Sequence, residues 1–257
     1  MKEFVTADEM AEMDRLAIDE YGPTLLQMME NAGRNLAELV MERAAPTDLI
    51  IVAAGIGGNG GGGICAARHL ANHGRTVRLT LSRSNELREA AQWQRHVYAA
   101  TGSPEIAPDD AFADRTVNQV AGAGGSVVII DALLGYNATG AAREPEASII
   151  RAIHACAERR RTQKRPTTIV SLDLPSGMDA TTGERPGAVV AADIVLTLAL
   201  PKTGLKHVAA DDRAPQVVVA DIGIPRQVYE ALNTERPFHG RYREKLNLDT
   251  AETYNER

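Results

Sequence analysis

The segment Gly55-Ile56-Gly57-Gly58-Asn59-Gly60-Gly61-Gly62-Gly63 holds seven glycines in nine positions, too many for a tight turn alone to require. It follows an apolar run, residues 49–54, and leads into Ile64-Cys65-Ala66-Ala67, which reads as helix. Glycine lets a backbone come close to a ligand, and free N–H groups at a helix start attract an anion. Gly55, Gly57 and Gly60 satisfy the dinucleotide-binding spacing G-x-G-x-x-G between a strand and a helix. A Walker-type phosphate loop is excluded, because no Lys-Ser/Thr pair closes the segment.

Two further apolar runs end in carboxylates. Residues 127–130 lead into Asp131-Ala132-Leu133-Leu134-Gly135, and residues 169–172 into Asp173-Leu174-Pro175-Ser176-Gly177-Met178-Asp179. At the carboxyl ends of parallel strands, Asp131 and Asp173 can meet the glycine loop in one crevice. There they can bind a cation or transfer protons, and the competing role for each is to cap a turn. Ser176 lacks the G-x-S-x-G elbow of a hydrolase nucleophile. Ser82-Arg83-Ser84 follows another apolar run, and Arg with Ser there suits a ribose 2′-phosphate. That keeps an NADP-dependent oxidoreductase open, although no Tyr-x-x-x-Lys pair accompanies it. The other reading of Arg83 is a solvated loop residue. His69 and His73 stand four apart and could pair on a metal, but with no further ligands they read as last-turn residues of a helix.

The elements that position these residues follow from periodicity. Thr6 with Glu9 fits a capping box, and Met10, Met13, Leu16 and Ala17 recur at helical spacing until Gly22-Pro23. A second helical stripe runs through Leu25, Met29, Ala32, Leu36, Leu39 and Val40. From residue 49 onward, apolar runs at 49–54, 77–81, 127–130, 169–172, 194–198 and 217–220 read as buried strands. Helical stretches near 61–73, 85–100 and 145–160 separate the first four. The expected fold is α/β: an open, mostly parallel sheet covered by helices on both faces, with an N-terminal helical pair.

Composition narrows the function classes. The 257 residues are 44% hydrophobic and 24% charged, which excludes a disordered chain or a coiled coil. A net charge of −6 and 4% aromatics argue against nucleic acid as a partner. The basic run at residues 158–165 reads as a solvated turn between helix and strand. Cys65 and Cys156 read as buried, reduced thiols. The start MKEFVTADEM resembles no signal peptide and no window is long enough to span a membrane, so no membrane partner is expected and the expected location is cytoplasmic. One domain over 1–257 is expected, with its core at about 3–232 and a polar surface tail at 233–257.

Five segments in order resemble the NAD(P)H-hydrate epimerase family, the YjeF N-terminal domain. They are residues 25–33 (LLQMMENAG, close to the family's LLLMENAG), the glycine loop with Ala66-Ala67-Arg68-His69-Leu70, the segments beginning at Asp131 and Asp173, and Pro201-Lys202-Thr203-Gly204-Leu205. The resemblance covers about residues 3–232 and implies an α/β fold, a Rossmann-like three-layer sandwich with a mostly parallel sheet and an N-terminal helical pair. It implies epimerisation of R and S hydrated NADH and NADPH at nicotinamide C6. It also implies a homodimer and a separate, functionally linked dehydratase. By the same resemblance Asn59, Asp131 and Ser176 hold one potassium ion per subunit. Gly58, Asn59, Gly60, Gly61 and Gly62 bind the dinucleotide, with Gly135, Tyr136, Asn137, Ala138, Thr139, Gly140, Ala141 and Asp173, and Asp173 is the expected catalytic group. The family loop reads GNNGGDG, so Gly58 and Gly62 stand where the family has Asn and Asp. A protein that keeps the fold and binds the ligand without catalysis is the alternative.

Overall fold

Runs of Val, Ile and Leu without alternation suit strands covered on both faces, and such strands form the centre of the molecule. The computed structural model describes residues 2–122, 125–210, 214–238 and 240–246. Its seven-stranded sheet has the order β2-β1-β3-β4-β5-β6-β7. The strands are β1 (Leu49–Ala54), β2 (Thr76–Leu81), β3 (Val127–Ala132), β4 (Thr167–Leu172), β5 (Ile194–Leu198), β6 (Gln216–Ala220) and β7 (Arg243–Leu246). β1 to β6 are parallel, and β7 joins β6 antiparallel. Every residue of β1 and β3 is buried.

Helices cover both faces, as the three-layer expectation requires. On one side α2 (Leu25–Arg43), α3 (Gly58–Asn72) and α4 (Glu89–Ala99) pack through Leu36, Val40, Ile64, Leu70 and Ala91 onto alternate strand residues such as Ile50 and Val52. On the other, α5 (Pro108–Ala111), α6 (Asp114–Ala121) and α7 (Glu146–Thr162) bury Val117, Ile150 and Ile153 against Leu49, Ile51 and Ile129. At four and eight residues, α5 and α6 are too short for their periodicity to single them out in the sequence.

The N-terminal pair is α1 (Ala7–Leu16), continued by a π-turn at Ala17–Tyr21, and α2. Capping boxes start both: Thr6 with Glu9, and Thr24 with Gln27. Val5 bridges Lys202, which ties this end to a 3-10 turn at Thr203–Ala210, and α8 (Arg226–Ala231) packs beside them.

Three expectations change. Leu25 is exposed rather than part of the α2 core stripe. The tail adds β7 to the sheet edge, where Arg243 donates to Asn35 O and pairs with Glu38 and Glu42 on α2; residues 247–257 of that tail lie outside the described residues. Within the basic run, Arg160 is buried, not solvated, and donates to Thr167 Oγ1, Gly125 O and Pro166 O. A guanidinium satisfies several carbonyls at once, so it can cap the buried end of β4.

Candidate functional site

The chain enters the sheet at β1, moves outward to β2 and then crosses back to β3, so the loops after β1 and β3 diverge at their carboxyl ends. Ligands of open α/β sheets bind at such a switch point. Here the two loops nearly touch, since a Cβ on Gly55 would lie 1.9 Å from Leu133 O, and the first loop folds tightly on itself, since one on Gly60 would lie 1.9 Å from Gly55 O. Only glycine fits either position.

α3 begins at Gly58 with Gly57 as its cap and no side chain closing its first turn. Free N–H groups therefore face the crevice at Gly58, Asn59 and Gly60. Gly58 is exposed, and a Cβ there meets nothing within 4 Å. Gly61 and Gly62 are buried instead, their α-carbons turned toward Met29 and Leu172. These two glycines let α2 and the sheet approach α3.

The three residues expected to hold a cation come together. Ser176 Oγ donates to Asp131 Oδ1 (2.5 Å) and accepts from the Leu134 N–H (2.9 Å). Asn59 Nδ2 donates to Leu134 O (2.9 Å), while its buried Oδ1 has no partner. Asp131 also accepts from Ser171 Oγ, the Ser176 N–H and the Leu133 N–H, which fills its lone-pair sites. Full burial pushes the Asp131 carboxyl up, and the bonds from Ser176 and Ser171 work against that. The orphaned Asn59 amide oxygen and the Ser176 hydroxyl are oxygen donors suited to a hard cation, and the fully engaged Asp131 carboxyl can add charge but no free lone pair.

Asp173 sits one strand further along, at the end of β4. Its φ of 69° lies in the left-handed region, where Asp is more tolerated than most residues. The Tyr136 N–H, the Leu198 N–H and Lys202 Nζ donate to its carboxylate at 3.2, 3.3 and 2.5 Å. A carboxylate has about four lone-pair sites, so roughly one remains for another partner. Lys202 also donates to Leu198 O and lies 5.7 Å from the centre of the Tyr136 ring.

Tyr136 lies within the expected 135–141 stretch. Gly135 packs against Asn59, and the exposed Asn137, Thr139, Gly140 and Ala141 follow, with the partly buried Ala138 closing a turn on Gly135 O. The Tyr136 hydroxyl donates to Asp14 Oδ2 on α1 at 2.6 Å. Burial pushes the Asp14 carboxyl up, against the Tyr136 bond and the Lys202 charge.

Sequence reading did not assign site roles to Asp14 and Lys202. Asp14 stands four residues after Met10 and three before Ala17, a charge on an otherwise apolar stripe, which was the available signal. Lys202 stands in Pro201-Lys202-Thr203-Gly204-Leu205, one of the five segments that carry the family resemblance, but that resemblance gives it no site role.

Other candidates resolve differently. Arg83 donates to Glu144 O and pairs with Glu146 and Glu86, so three internal acceptors engage the guanidinium proposed for a 2′-phosphate. His69 faces Glu30 rather than His73; the His73 ring meets His69 O. Glu30, Cys65 and His69 converge, but Arg68 Nη2 lies 2.5 Å from Glu30 and 3.4 Å from Cys65 Sγ, so a cation already serves the cluster. Burial and the Glu30 charge push the Cys65 thiol up to about 12. Both cysteines are buried and free, as expected.

The sequence profile of the family described as YjeF-related protein N-terminus matches residues 25–204. The chain is 40% identical to the NAD(P)H-hydrate epimerase of Dehalogenimonas lykanthroporepellens, over 94% of this chain and 92% of that protein. It is 32% identical to the NAD(P)H-hydrate epimerase of Rhodopirellula baltica, over 87% of this chain and 86% of that one. It is 39% identical to the bifunctional NAD(P)H-hydrate repair enzyme Nnr of Hyperthermus butylicus, over 79% of this chain but 35% of that protein. In fold it resembles the crystal structure of the yeast protein YNL200c, with a TM-score of 0.78 at 23% identity, covering 95% of this chain and 99% of the yeast chain. A profile match over residues 25–204 and 40% identity to a relative along nearly the whole chain show that the chain belongs to the YjeF-related N-terminal family.

Proposed function

We propose that this chain is an NAD(P)H-hydrate epimerase, interconverting the R and S forms of hydrated NADH and NADPH. The observation that carries the reading is the 40% identity to an epimerase along nearly its whole length. The geometry supports it chemically. The C6 hydroxyl leaves with the help of the ring nitrogen, and water returns to the planar cation from either face. A buried carboxylate beside that cation stabilises its charge, and Asp173 has one acceptor site left to take a proton from the entering water.

The pyrophosphate is assigned to the N–H groups of Gly58, Asn59 and Gly60 and to the loop 135–141. Gly61 and Gly62 contribute by letting α3 pack closely. Potassium fits Asn59 Oδ1 and Ser176 Oγ, with Asp131 supplying charge. When bound, the ion holds the loops after β1, β3 and β4 together. A dehydratase acting on the S form is the linked activity, since several relatives are bifunctional. A homodimer is supported by the exposed Leu26, Trp93 and Val97, which line a groove of about 640 Å³ between α2 and α4. Among the described residues no helix is long and apolar enough to cross a membrane, which accords with a cytoplasmic location. The chain is read as one domain whose C-terminal segment completes the sheet.

The test is R-to-S conversion of hydrated NADPH by the purified protein, followed by chiral separation. Conversion well above the spontaneous rate is expected; a rate equal to the buffer blank overturns the reading in favour of a non-catalytic binder.

A further inference from the structure

Epimerisation at C6 places the hydroxyl on opposite faces of the nicotinamide ring in substrate and product. By microscopic reversibility, the group that takes a proton from water entering one face returns it to the hydroxyl leaving from that face, so a ring held in one orientation is served by a separate group on each side. Asp173 is 2% exposed and already accepts three hydrogen bonds, so it has room to serve one face and not both.

Tyr136 joins Asp173 to a second carboxylate. Its N–H donates to Asp173, and its hydroxyl, at the far end of the side chain, donates to Asp14. Tyr136 and Asp14 are both partly accessible, unlike Asp173 and Lys202. We propose that the Tyr136 hydroxyl is a second proton-transfer group of this site and that Asp14 is the positioning carboxyl that replenishes its proton. The proposal rests on the epimerase reading.

The groups around Asp14 favour this role. Tyr136 faces it from the loop after β3, Asp173 from the loop after β4, Lys202 from the loop after β5 and Tyr229 from α8. Burial pushes the Asp14 carboxyl up, so that it keeps its proton to higher pH, and burial keeps the Tyr136 phenol in its neutral, proton-carrying form. A carboxyl that keeps its proton closer to neutrality is the better reservoir for a general acid.

The steps balance. The C6–O bond breaks as the hydroxyl takes a proton from Tyr136 and leaves as water. Asp14 returns a proton to the phenol, and the ring-nitrogen lone pair becomes the N1–C6 double bond. Water then attacks C6 from the other face and gives its proton to Asp173, and the π electrons return to nitrogen. The enzyme ends with the proton moved from Asp14 to Asp173 and is reset through solvent or by a turnover in the reverse direction.

Tyr136→Phe and Asp14→Asn keep shape and packing, and they separate this proposal from the reading beneath it. In wild type, kcat is expected to fall at high pH as Asp14 loses its proton. Each variant should lose at least about a hundredfold in kcat, with little change in NADPH affinity by calorimetry. Asp14→Asn should also lose the high-pH limb. If wild type is active and Tyr136→Phe matches it, or only KM rises, the proposal is overturned while the epimerase reading stands. If wild type equals the buffer blank, both fall.

Discussion

Lys202 Nζ lies 2.5 Å from Asp173 Oδ1, and the two side chains are 0% and 3% exposed. The pair joins the loops after β4 and β5, and Val5 pins the lysine segment from outside through bonds to Pro201 O and Thr203 N–H. A buried charge that loses its partner remains desolvated and uncompensated. Lys202→Met is expected to lower stability by about 3–5 kcal/mol in urea unfolding. Lys202→Met with Asp173→Asn should recover part of that loss. A single variant as stable as wild type would show that the pair contributes nothing.

Gly61 is where two helices meet. A Cβ there would lie 2.5 Å from Met29 Sδ, so Gly61→Val overpacks the contact between α2 and α3 and is expected to cost about 1–3 kcal/mol. Met29→Ala in the same chain should restore part of the loss in thermal unfolding. Reduced dinucleotide binding with unchanged stability would instead put Gly61 at the ligand.

The orphaned Asn59 Oδ1 makes the cation assignment testable without substrate. Potassium is expected to raise the unfolding midpoint of wild type through ligand linkage, and sodium or lithium to raise it less. Asn59→Ala should abolish the potassium effect. An equal rise in both proteins would place the ion elsewhere.

Glu30 links acid stability to the seam between α2 and α3. Burial alone would raise its carboxyl, yet bonds from Arg68, Cys65 and His69 outweigh that and bring it down to about 2 from an ordinary 4.5. A lowered folded-state value stabilises above the unfolded value, and the contribution disappears as pH falls from 4.5 toward about 2. Urea midpoints should therefore fall more steeply over that window in wild type than in Glu30→Gln. Parallel curves would dismiss the seam as a source of acid lability.

The sheet, its parallel sense and the positions of β1 to β6 were legible in the sequence because strands buried on both faces must be continuously apolar. The glycine loop and the carboxylates at 131 and 173 were legible for a similar local reason: special backbone and charge at a strand end need only their immediate neighbours to stand out. The five ordered segments pointed to the family. What the tertiary structure decided were relationships over long chain separations. Asp14 meets Tyr136, Lys202 meets Asp173, and Arg243 returns to α2 on a seventh strand. It also separated glycines that face the crevice from those that face Met29 and Leu172, although all stand in one run. Periodicity tells which face of an element is apolar. Which polar residue another element brings to within hydrogen-bond reach depends on how the layers close, and a polar group in a buried seam is stable only with the partner that closure supplies.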